Sequence, residues 1–498
     1  MPSPWARHAV PAMLGIALLT LAAGCRPTGA PSARPSPSVA SPTPSAPPPA
    51  TASAAESPAP ACSPTAPRSA YAAPDPRRPV VDVAFSVARD HASFIGHEHI
   101  VFTPDLPVRE LVFRLWGNAP RPARAGGEQR VTAVRGAGVR RFAVARGGGV
   151  AGHAGTLLRV ALQPVARGNR VTVDIDFTMR LPSGVNERFG HRGGTAWFAS
   201  AFPLLAWERR HGWATEPATA QFAEATTSEV FRLRGLTVET VAGDTVLATG
   251  TDGAVDDVAG GRRRWHFSAT AVRDIAVAVG QFRTLTTRGA VPVTVGVAPG
   301  LGDSPATVGQ LAQAALAVHA ERFGPFAFGQ LDIAVVPDIT GGIEYPGAIL
   351  LGTRQLDATL SHEIAHQWFY GLVGNDQARD PWLDEAFATY AEALHHGTAR
   401  RYQSAAVPPA GRQRVGRPMT YWERLGRTYF RAVYLQGASA LVAARQAAGT
   451  ASFDAAIRCY VARNAHRIAT PGDLANALRE LPAARAVLVR AGALPPGA

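Results

Sequence analysis

Two histidines and a glutamate with a fixed spacing are the residues of this sequence best suited to chemistry. His362 and His366 stand four apart in the pattern His-Glu-x-x-His, with Glu363 between them. Residues four apart lie on one face of a helix, so both imidazoles can bind a single metal ion. Glu385 follows after eighteen residues, and two histidines with one carboxylate form the open zinc set that leaves a fourth position for water. Glu363 remains free to act as a base beside that water.

A second helix is predicted to carry Glu385. Residues 382–388 read WLDEAFA, with apolar and acidic residues at helical spacing, and Asp380-Pro381 before them supplies a cap and a first-turn proline. A His-Glu-x-x-His motif alone also arises by chance in long chains. The apolar helical context and the spaced Glu385 favour a zinc site here.

The complete motif, His-Glu-x-x-His followed by a glutamate within WLDEAFA, resembles the gluzincin zinc metallopeptidases of the aminopeptidase N family, which also includes leukotriene-A hydrolase. Residues 341–347, GGIEYPG, resemble the family's exopeptidase motif G-x-M-E-N in its G-G-M-E-Y-P form. Ile343 replaces the methionine, and Tyr345 stands where the best-known members have Asn. Residues 429–438, YFRAVYLQGA, are similar to the family's Y-E-K-G-A segment, with Leu435 and Gln436 in place of Glu and Lys.

The resemblance implies a Zn²⁺-dependent aminopeptidase with one zinc per chain and peptides as substrates. In the family the carboxylate of the exopeptidase motif binds the substrate's free ammonium, and the tyrosine supports the tetrahedral intermediate. The implied site residues are the metal ligands His362, His366 and Glu385, the catalytic pair Glu363 and Tyr434, and the substrate-binding residues Gly341, Gly342 and Glu344. The family also uses a polar residue from its β domain, but no matching motif is found between residues 185 and 225.

Two alternatives remain open. The chain could be a zinc endopeptidase if Glu344 does not reach the substrate amine, and blocked peptides would discriminate. It could also be a catalytically quiet surface lipoprotein that binds peptide or cell-wall material, although such a module needs neither Glu363 nor Tyr434. The preferred first residue and the oligomeric state are not readable from the sequence.

The chain is predicted to have two folded domains. Residues 80–282 show alternating apolar residues in strands such as 80–87, 171–177 and 236–241, which predicts a β domain. From residue 283 to 498 the pattern is mixed, with a helix predicted over 304–323 and a buried strand over 331–336. The resemblance implies a saddle-like β-sandwich domain followed by a thermolysin-like, mainly helical zinc catalytic domain. Because the predicted catalytic domain extends to residue 498, we expect no room for the large C-terminal helical domain that many relatives have.

Composition is that of a globular protein with a basic charge. The 498 residues are 46% hydrophobic and 17% charged, and all 50 basic residues are Arg, giving a net charge of +13. The absence of Lys beside abundant Ala, Gly and Pro is typical of a GC-rich genome, and the basic balance could favour anionic lipid or cell-wall polymers. We find no nucleic-acid-binding motif and predict no nucleic-acid partner.

The N-terminal region indicates export. Residues 1–24 carry Arg7 and then a short apolar run, which is typical of a signal peptide rather than a spanning helix. The sequence LAAGC ending at Cys25 resembles a bacterial lipobox, and a lipidated Cys25 would carry enough acyl chain for stable membrane anchoring. Residues 25–79, rich in Pro, Ser and Ala, are predicted to be a disordered tether. We therefore expect an extracytoplasmic protein anchored to the membrane, or a secreted one if Cys25 is not modified.

Three further pairs of residues could form sites. His97 and His99 would share one face of a strand, where a metal site is conceivable but an exposed face is favoured. The adjacent His395 and His396 are predicted to be solvated surface. A disulfide between Cys62 and Cys459 is conceivable outside the cytoplasm, but Cys62 lies in the predicted tether.

Overall fold

The computed structural model describes residues 71–220 and 228–497. The predicted signal peptide, Cys25, Cys62 and most of the predicted tether lie outside these residues. In the described part of the chain no helix has both the length and the apolar character required to cross a bilayer.

The first half of the described chain is a series of strands in which buried and exposed residues alternate. In Val80–Val87, for example, Val81, Val83, Phe85 and Val87 are buried and the residues between them are not, as expected for strands with one face against a core. The strands are β1 (Val80–Val87), β2 (Ser93–Phe102), β3 (Val108–Arg114), β4 (Glu128–Arg135), β5 (Val139–Ala145), β6 (Leu157–Val165), β7 (Val171–Arg180), β8 (Phe189–Arg192), β9 (Thr195–Ala199), β10 (Leu204–Leu205), β11 (Trp207–Glu208), β12 (Gly212–Trp213), β13 (Phe231–Val241), β14 (Thr245–Ala248), β15 (Thr251–Val258), β16 (Arg262–Val272) and β17 (Ala276–Gly280), with one short helix, α1 (Pro120–Arg124).

These strands form packed sheets that share one core. A seven-stranded sheet has the order β15-β16-β13-β1-β2-β7-β4, and four-stranded sheets have the orders β10-β3-β6-β5 and β14-β17-β9-β8. Within the large sheet β1 pairs in parallel with β13 and antiparallel with β2. The inward faces bury Phe85, Phe94, Phe177 and Phe198 against one another. The N-terminal part of the chain is therefore a β-sandwich.

The second half combines one sheet with most of the helices. Its strands are β18 (Arg283–Thr287), β19 (Val293–Val297), β20 (Leu331–Val335), β21 (Gly342–Tyr345), β22 (Ala348–Leu351), β23 (Gly374–Asn375) and β24 (Ile468–Ala469). Its helices are α2 (Pro305–Phe323), α3 (Leu356–Ala365), α4 (Trp382–His395), α5 (Ala399–Gln403), α6 (Met419–Trp422), α7 (Gly426–Tyr429), α8 (Gly437–Ala448), α9 (Thr450–Asn464), α10 (Pro471–Ala477) and α11 (Pro482–Arg490). A π-helical segment, Phe430–Gln436, joins α7 to α8.

The five-stranded sheet has the order β18-β19-β20-β22-β21, so β21 is an edge strand. A turn through Pro346 and Gly347 joins β21 to β22, and Gly347 has φ 69°, a left-handed conformation that favours glycine. The helices bury their apolar faces in one core with β19 and β20. A smaller cluster, with Trp197 and Leu247 from the sandwich and Tyr345 from β21, connects the two halves. This cluster holds the edge strand against the β-sandwich.

Helix α2 occupies the predicted span. Ser304 caps the helix by accepting a hydrogen bond from the Thr307 N–H. The buried residues are Val308, Gly309, Ala312, Ala315, Leu316, His319 and Phe323. The buried face thus includes one polar residue, His319, whereas Leu311 and Val318 are only partly buried.

Residues 71–79, which were predicted to belong to the disordered tether, are ordered. The Tyr71 hydroxyl donates a hydrogen bond to the Pro325 carbonyl, and the Ala72 N–H donates one to the Ala462 carbonyl at 2.8 Å. The prediction was wrong there because Tyr71 supplies a large, partly buried side chain that packs on the helical core, and residues 26–70 contain no aromatic residue. Cys459, in α9, is disulfide-bonded.

Candidate metal centre

Three side chains bring one ligand atom each to a common point. His362 Nε2 lies 3.1 Å from His366 Nε2 and 3.2 Å from Glu385 Oε2, and the last two atoms are 3.4 Å apart. His362 and His366 come from the end of α3, and Glu385 comes from the first turn of α4. The sequence-predicted ligands are therefore together, on the two helices predicted to carry them.

The spacing of these atoms fits zinc. In a tetrahedral site with bonds of ~2.0–2.1 Å, neighbouring ligand atoms are separated by roughly 3.3–3.4 Å. The observed triangle of 3.1, 3.2 and 3.4 Å has nearly this size. The two nitrogens and one carboxylate oxygen also match the donor set of open, catalytic zinc sites. Burial lowers the pKa of His366, but the negative charges of Glu344 and Glu385 raise it by more, so the surroundings of this nitrogen favour a cation.

Each histidine is oriented by a partner on its other nitrogen. His366 Nδ1 lies 3.0 Å from the Phe369 carbonyl, to which it donates, so Nε2 carries the free electron pair. His362 Nδ1 lies 3.5 Å from Glu392 Oε2, two helical turns beyond Glu385 on α4. Glu392 in turn accepts a hydrogen bond from the Tyr402 hydroxyl. Such partners fix the ring and increase its basicity as a ligand.

Glu363 is buried beside the metal ligands and is poised to exchange a proton. Burial raises the pKa of its carboxyl to about 8, with His362 opposing the rise. Within the described residues its Oε2 has no hydrogen-bond partner. Its side chain packs on the backbone of Gly342, where a Cβ would lie 2.3 Å from Glu363 Cγ. A glycine at 342 therefore allows the base to stand next to the edge strand.

The edge strand β21 places Glu344 next to the metal centre. One oxygen of Glu344, one of Glu363 and one nitrogen of His366 all lie within 4.8 Å of one another. Gln377 Nε2 lies 3.5 Å from Glu344 and donates to Asp384 at 2.7 Å. The strand's other hydrogen-bonding edge, opposite β22, carries no strand partner among the described residues.

Gln367 connects the edge strand to the metal helix. Its amide nitrogen donates to the Tyr345 carbonyl at 3.0 Å, and its amide oxygen accepts from the Gly347 N–H at 2.8 Å. The residue immediately after His366 thus fixes the turn that follows Glu344. Because Gln367 is buried, both bonds are shielded from water and hold the two elements in register.

Tyr434 lies against the first metal ligand. Its ring stacks on that of His362 with centroids 5.9 Å apart and an angle of 10° between the planes. The residue lies in the π-helical segment Phe430–Gln436 between α7 and α8. A π-helix bonds residues five apart, and Tyr429 and Tyr434 accordingly meet with ring centroids at 5.7 Å.

Four histidines outside the metal centre contact other side chains. His395 and His396 were predicted to be solvated, which was wrong: their rings stack at 4.4 Å, and His395 Nδ1 bonds the Ser361 hydroxyl at 2.8 Å. His97 and His99 do lie on an exposed strand face, where they contact Asp176 at 2.7 Å and Asp174 at 2.8 Å.

Sequence reasoning missed Glu392, Gln367 and Arg188 of the β-sandwich. The spacing of seven between Glu385 and Glu392, two turns of one helix, could have revealed the first. No local pattern marks the other two. Arg188, which is buried directly before β8, has its pKa raised: burial opposes the charge, but the interactions with Tyr345, Glu187 and Glu344 outweigh it. The β-sandwich thus contributes a charge at the edge strand.

With this geometry in place, three comparisons bear on the chain. Residues 310–490 match the Peptidase family M1 domain. Aminopeptidase B of Rattus norvegicus is 36% identical over 85 residues, which are 16% of this chain and 13% of that protein, and aminopeptidase N of Streptomyces lividans is 34% identical over 88 residues, 15% and 10% of the two chains. The match thus spans about an eighth of aminopeptidase B. The M1 zinc metallopeptidase of Deinococcus radiodurans has a similar fold, with a TM-score of 0.63 at 20% identity over 84% of this chain and 96% of that one.

Proposed function

Residues 310–490 match the peptidase family M1 domain, and we propose that this chain is a zinc-dependent aminopeptidase. It would hydrolyse the N-terminal peptide bond of peptides. The observation that carries the proposal is the position of Glu344, whose carboxylate lies within 4.8 Å of both the base Glu363 and the ligand His366. A carboxylate there can bind the free ammonium of a peptide while the carbonyl of its first residue reaches the position where the three ligands would hold zinc.

His362, His366 and Glu385 would hold the zinc. When bound, zinc polarises a carbonyl and lowers the pKa of a bound water to about 7. Glu363 Oε2 would accept the proton of the attacking water and pass it to the leaving amine. Its burial suits this exchange, because a carboxyl with a raised pKa both accepts and returns a proton near neutral pH.

The remaining residues would bind and orient the peptide. The peptide backbone would lie along the free edge of β21, where Gly341 and Gly342 allow a close approach. Glu344 would accept hydrogen bonds from the ammonium group and so fix the register at the first residue. The Tyr434 hydroxyl would donate to the developing oxyanion, a contribution of ~2.7–4 kcal/mol per donor in other hydrolases.

The finer architecture and the location are part of the same proposal. We take the β-sandwich as the saddle-like domain and the second half as the thermolysin-like domain of the family. The lipobox-like sequence supports export and lipid anchoring through Cys25. Membrane fractionation of the full chain beside Cys25→Ala checks this: the protein is expected with membranes and its variant in the soluble fraction, and equal partition would reject the anchor.

Zinc content and peptide hydrolysis test the activity together. The purified protein is expected to bind one zinc per chain and to release the first residue of a short peptide, and a chelator should abolish that release reversibly. Glu363→Gln should keep the zinc and lose about 10²–10⁴ in kcat, as expected for a general base. Hydrolysis at the original rate by zinc-free protein or by Glu363→Gln would refute the proposal.

A further inference from the structure

Phe430 is an exposed aromatic residue that contacts Tyr434, which in turn stacks on the metal ligand His362. It begins the π-helical segment, and 49% of the residue is accessible to solvent. Its ring centroid lies 4.9 Å from that of Tyr434, with an angle of 39° between the rings. Large apolar side chains exposed beside a functional group often form part of a binding surface.

The three rings show on which side of the metal centre Phe430 lies. His362 and His366 are one helical turn apart, so their Cβ atoms are separated by about 5–6 Å. Glu344 is close to His366, the second histidine, whereas Tyr434 stacks on His362, the first. Glu344 thus approaches the pair of histidines at His366, whereas Phe430, through Tyr434, approaches it at His362. Since Glu344 would bind the ammonium of the first residue, Phe430 lies in the direction of the leaving part of the peptide.

We infer that Phe430 forms an aromatic wall for the side chain of the substrate's second residue. This inference rests on the proposed aminopeptidase function and adds a substrate class: peptides with an aromatic or large aliphatic second residue. In an extended peptide each residue advances ~3.3 Å, so the second side chain begins just past the scissile bond. A side chain there meets the exposed ring of Phe430 beside Tyr434.

The π-helical segment supports this role. It brings Tyr429 against Tyr434 from the buried side, at 5.7 Å between ring centroids, while Phe430 flanks Tyr434 from the solvent side at 4.9 Å. Tyr429 is fully buried. Tyr434 is thus held between a buried ring and an exposed one, and only the exposed ring can gain contacts from a bound peptide.

The experiment compares Leu-Phe-amide with Leu-Ala-amide. Aromatic contact with burial is worth on the order of 1–2 kcal/mol, so the wild type should prefer the aromatic dipeptide by about tenfold in kcat/KM. In Phe430→Ala this preference should fall close to one, through KM rather than kcat, because ground-state and transition-state binding are lost equally. Phe430→Leu should keep part of the preference. Phe142→Ala, which removes a 38% exposed phenylalanine from β5, is the matched control and should keep all of it.

Two readouts separate this inference from the proposed function. Hydrolysis of leucine amide by the wild type, which involves no second side chain, establishes the aminopeptidase activity by itself. Calorimetric binding of Leu-Phe-amide to zinc-loaded Glu363→Gln, with and without Phe430→Ala, should show the same tenfold difference without turnover. An unchanged preference in Phe430→Ala, an equal loss in Phe142→Ala, or a loss confined to kcat would overturn the inference while leaving the activity standing.

Discussion

Gly342→Ala is a small change that should disable the base without removing the metal. A Cβ at this position would lie 2.3 Å from Cγ, 2.6 Å from Cδ and 2.7 Å from Oε1 of Glu363. Carbon atoms in contact stand ~3.5 Å apart, so the Glu363 side chain must retreat by about 1 Å. The side chain is flexible, and Gly342 does not have a left-handed conformation, so we expect the protein to fold.

The displacement determines the expected loss. A misplacement of about 1 Å costs on the order of 10²-fold in rate, and complete loss of a general base costs up to about 10⁴-fold. We therefore predict a fall in kcat of about 10²-fold with zinc content unchanged. Steady-state hydrolysis of leucine amide and metal analysis of the same sample provide both numbers.

Gly302→Ala is the matched control. A Cβ there meets no atom within 4 Å, and this glycine also lacks a left-handed φ. It should leave kcat unchanged. If Gly342→Ala were as active as Gly302→Ala, displacing the Glu363 carboxylate would not slow the reaction. The assignment of Glu363 as the base would then be wrong.

Two further predictions concern residues behind the centre. Glu392→Gln removes the carboxylate 3.5 Å from His362 Nδ1 and should weaken zinc binding by about 10–100-fold, measured by competition with a chelator; unchanged affinity would deny it that supporting role. His319 is fully buried, and burial lowers the pKa of its imidazole to about 3. Because an unfolded histidine titrates near 6.5, the unfolded chain binds this proton first, and stability present above pH 6.5 is lost as pH falls toward 3, by about 3 kcal/mol at pH 4.5. His319→Gln should lose less stability between pH 7 and 4.5 in urea unfolding, and an identical loss would show that His319 is not the cause.

The local parts of the site were predictable because they depend on spacing along the chain. His362 and His366 occupy one face of one helix, and the acidic first turn of α4 was visible in WLDEAFA. Glu344 was identified through the resemblance of residues 341–347 to the family's exopeptidase motif, and the structure adds that its strand lies at a sheet edge. The β-sandwich strands were readable because alternation of apolar residues reports directly on a one-sided core.

The rest depends on contacts between distant segments. The closeness of Gly342 to Glu363 arises from packing of β21 on α3, which no periodicity encodes. His395 was predicted to be solvated, yet Ser361 and His319 come from two other helices to meet it. The π-helical segment adds one residue to a turn. Residues 430–436 contain no glycine or proline that would predict this irregularity.

If Glu344 binds the substrate's ammonium and so makes this centre an exopeptidase, hydrolysis must depend on a free N-terminus. A short peptide and its N-acetylated twin are incubated with the zinc-loaded protein, and the products are identified by mass spectrometry. Glu344 is half-buried, and loss of a hydrogen bond to its charged carboxylate costs ~1.5–3 kcal/mol, so the blocked peptide should react at least about tenfold more slowly, and only the first residue should leave the free peptide. Internal cleavage of both peptides at similar rates would show that Glu344 does not bind the ammonium and would identify an endopeptidase.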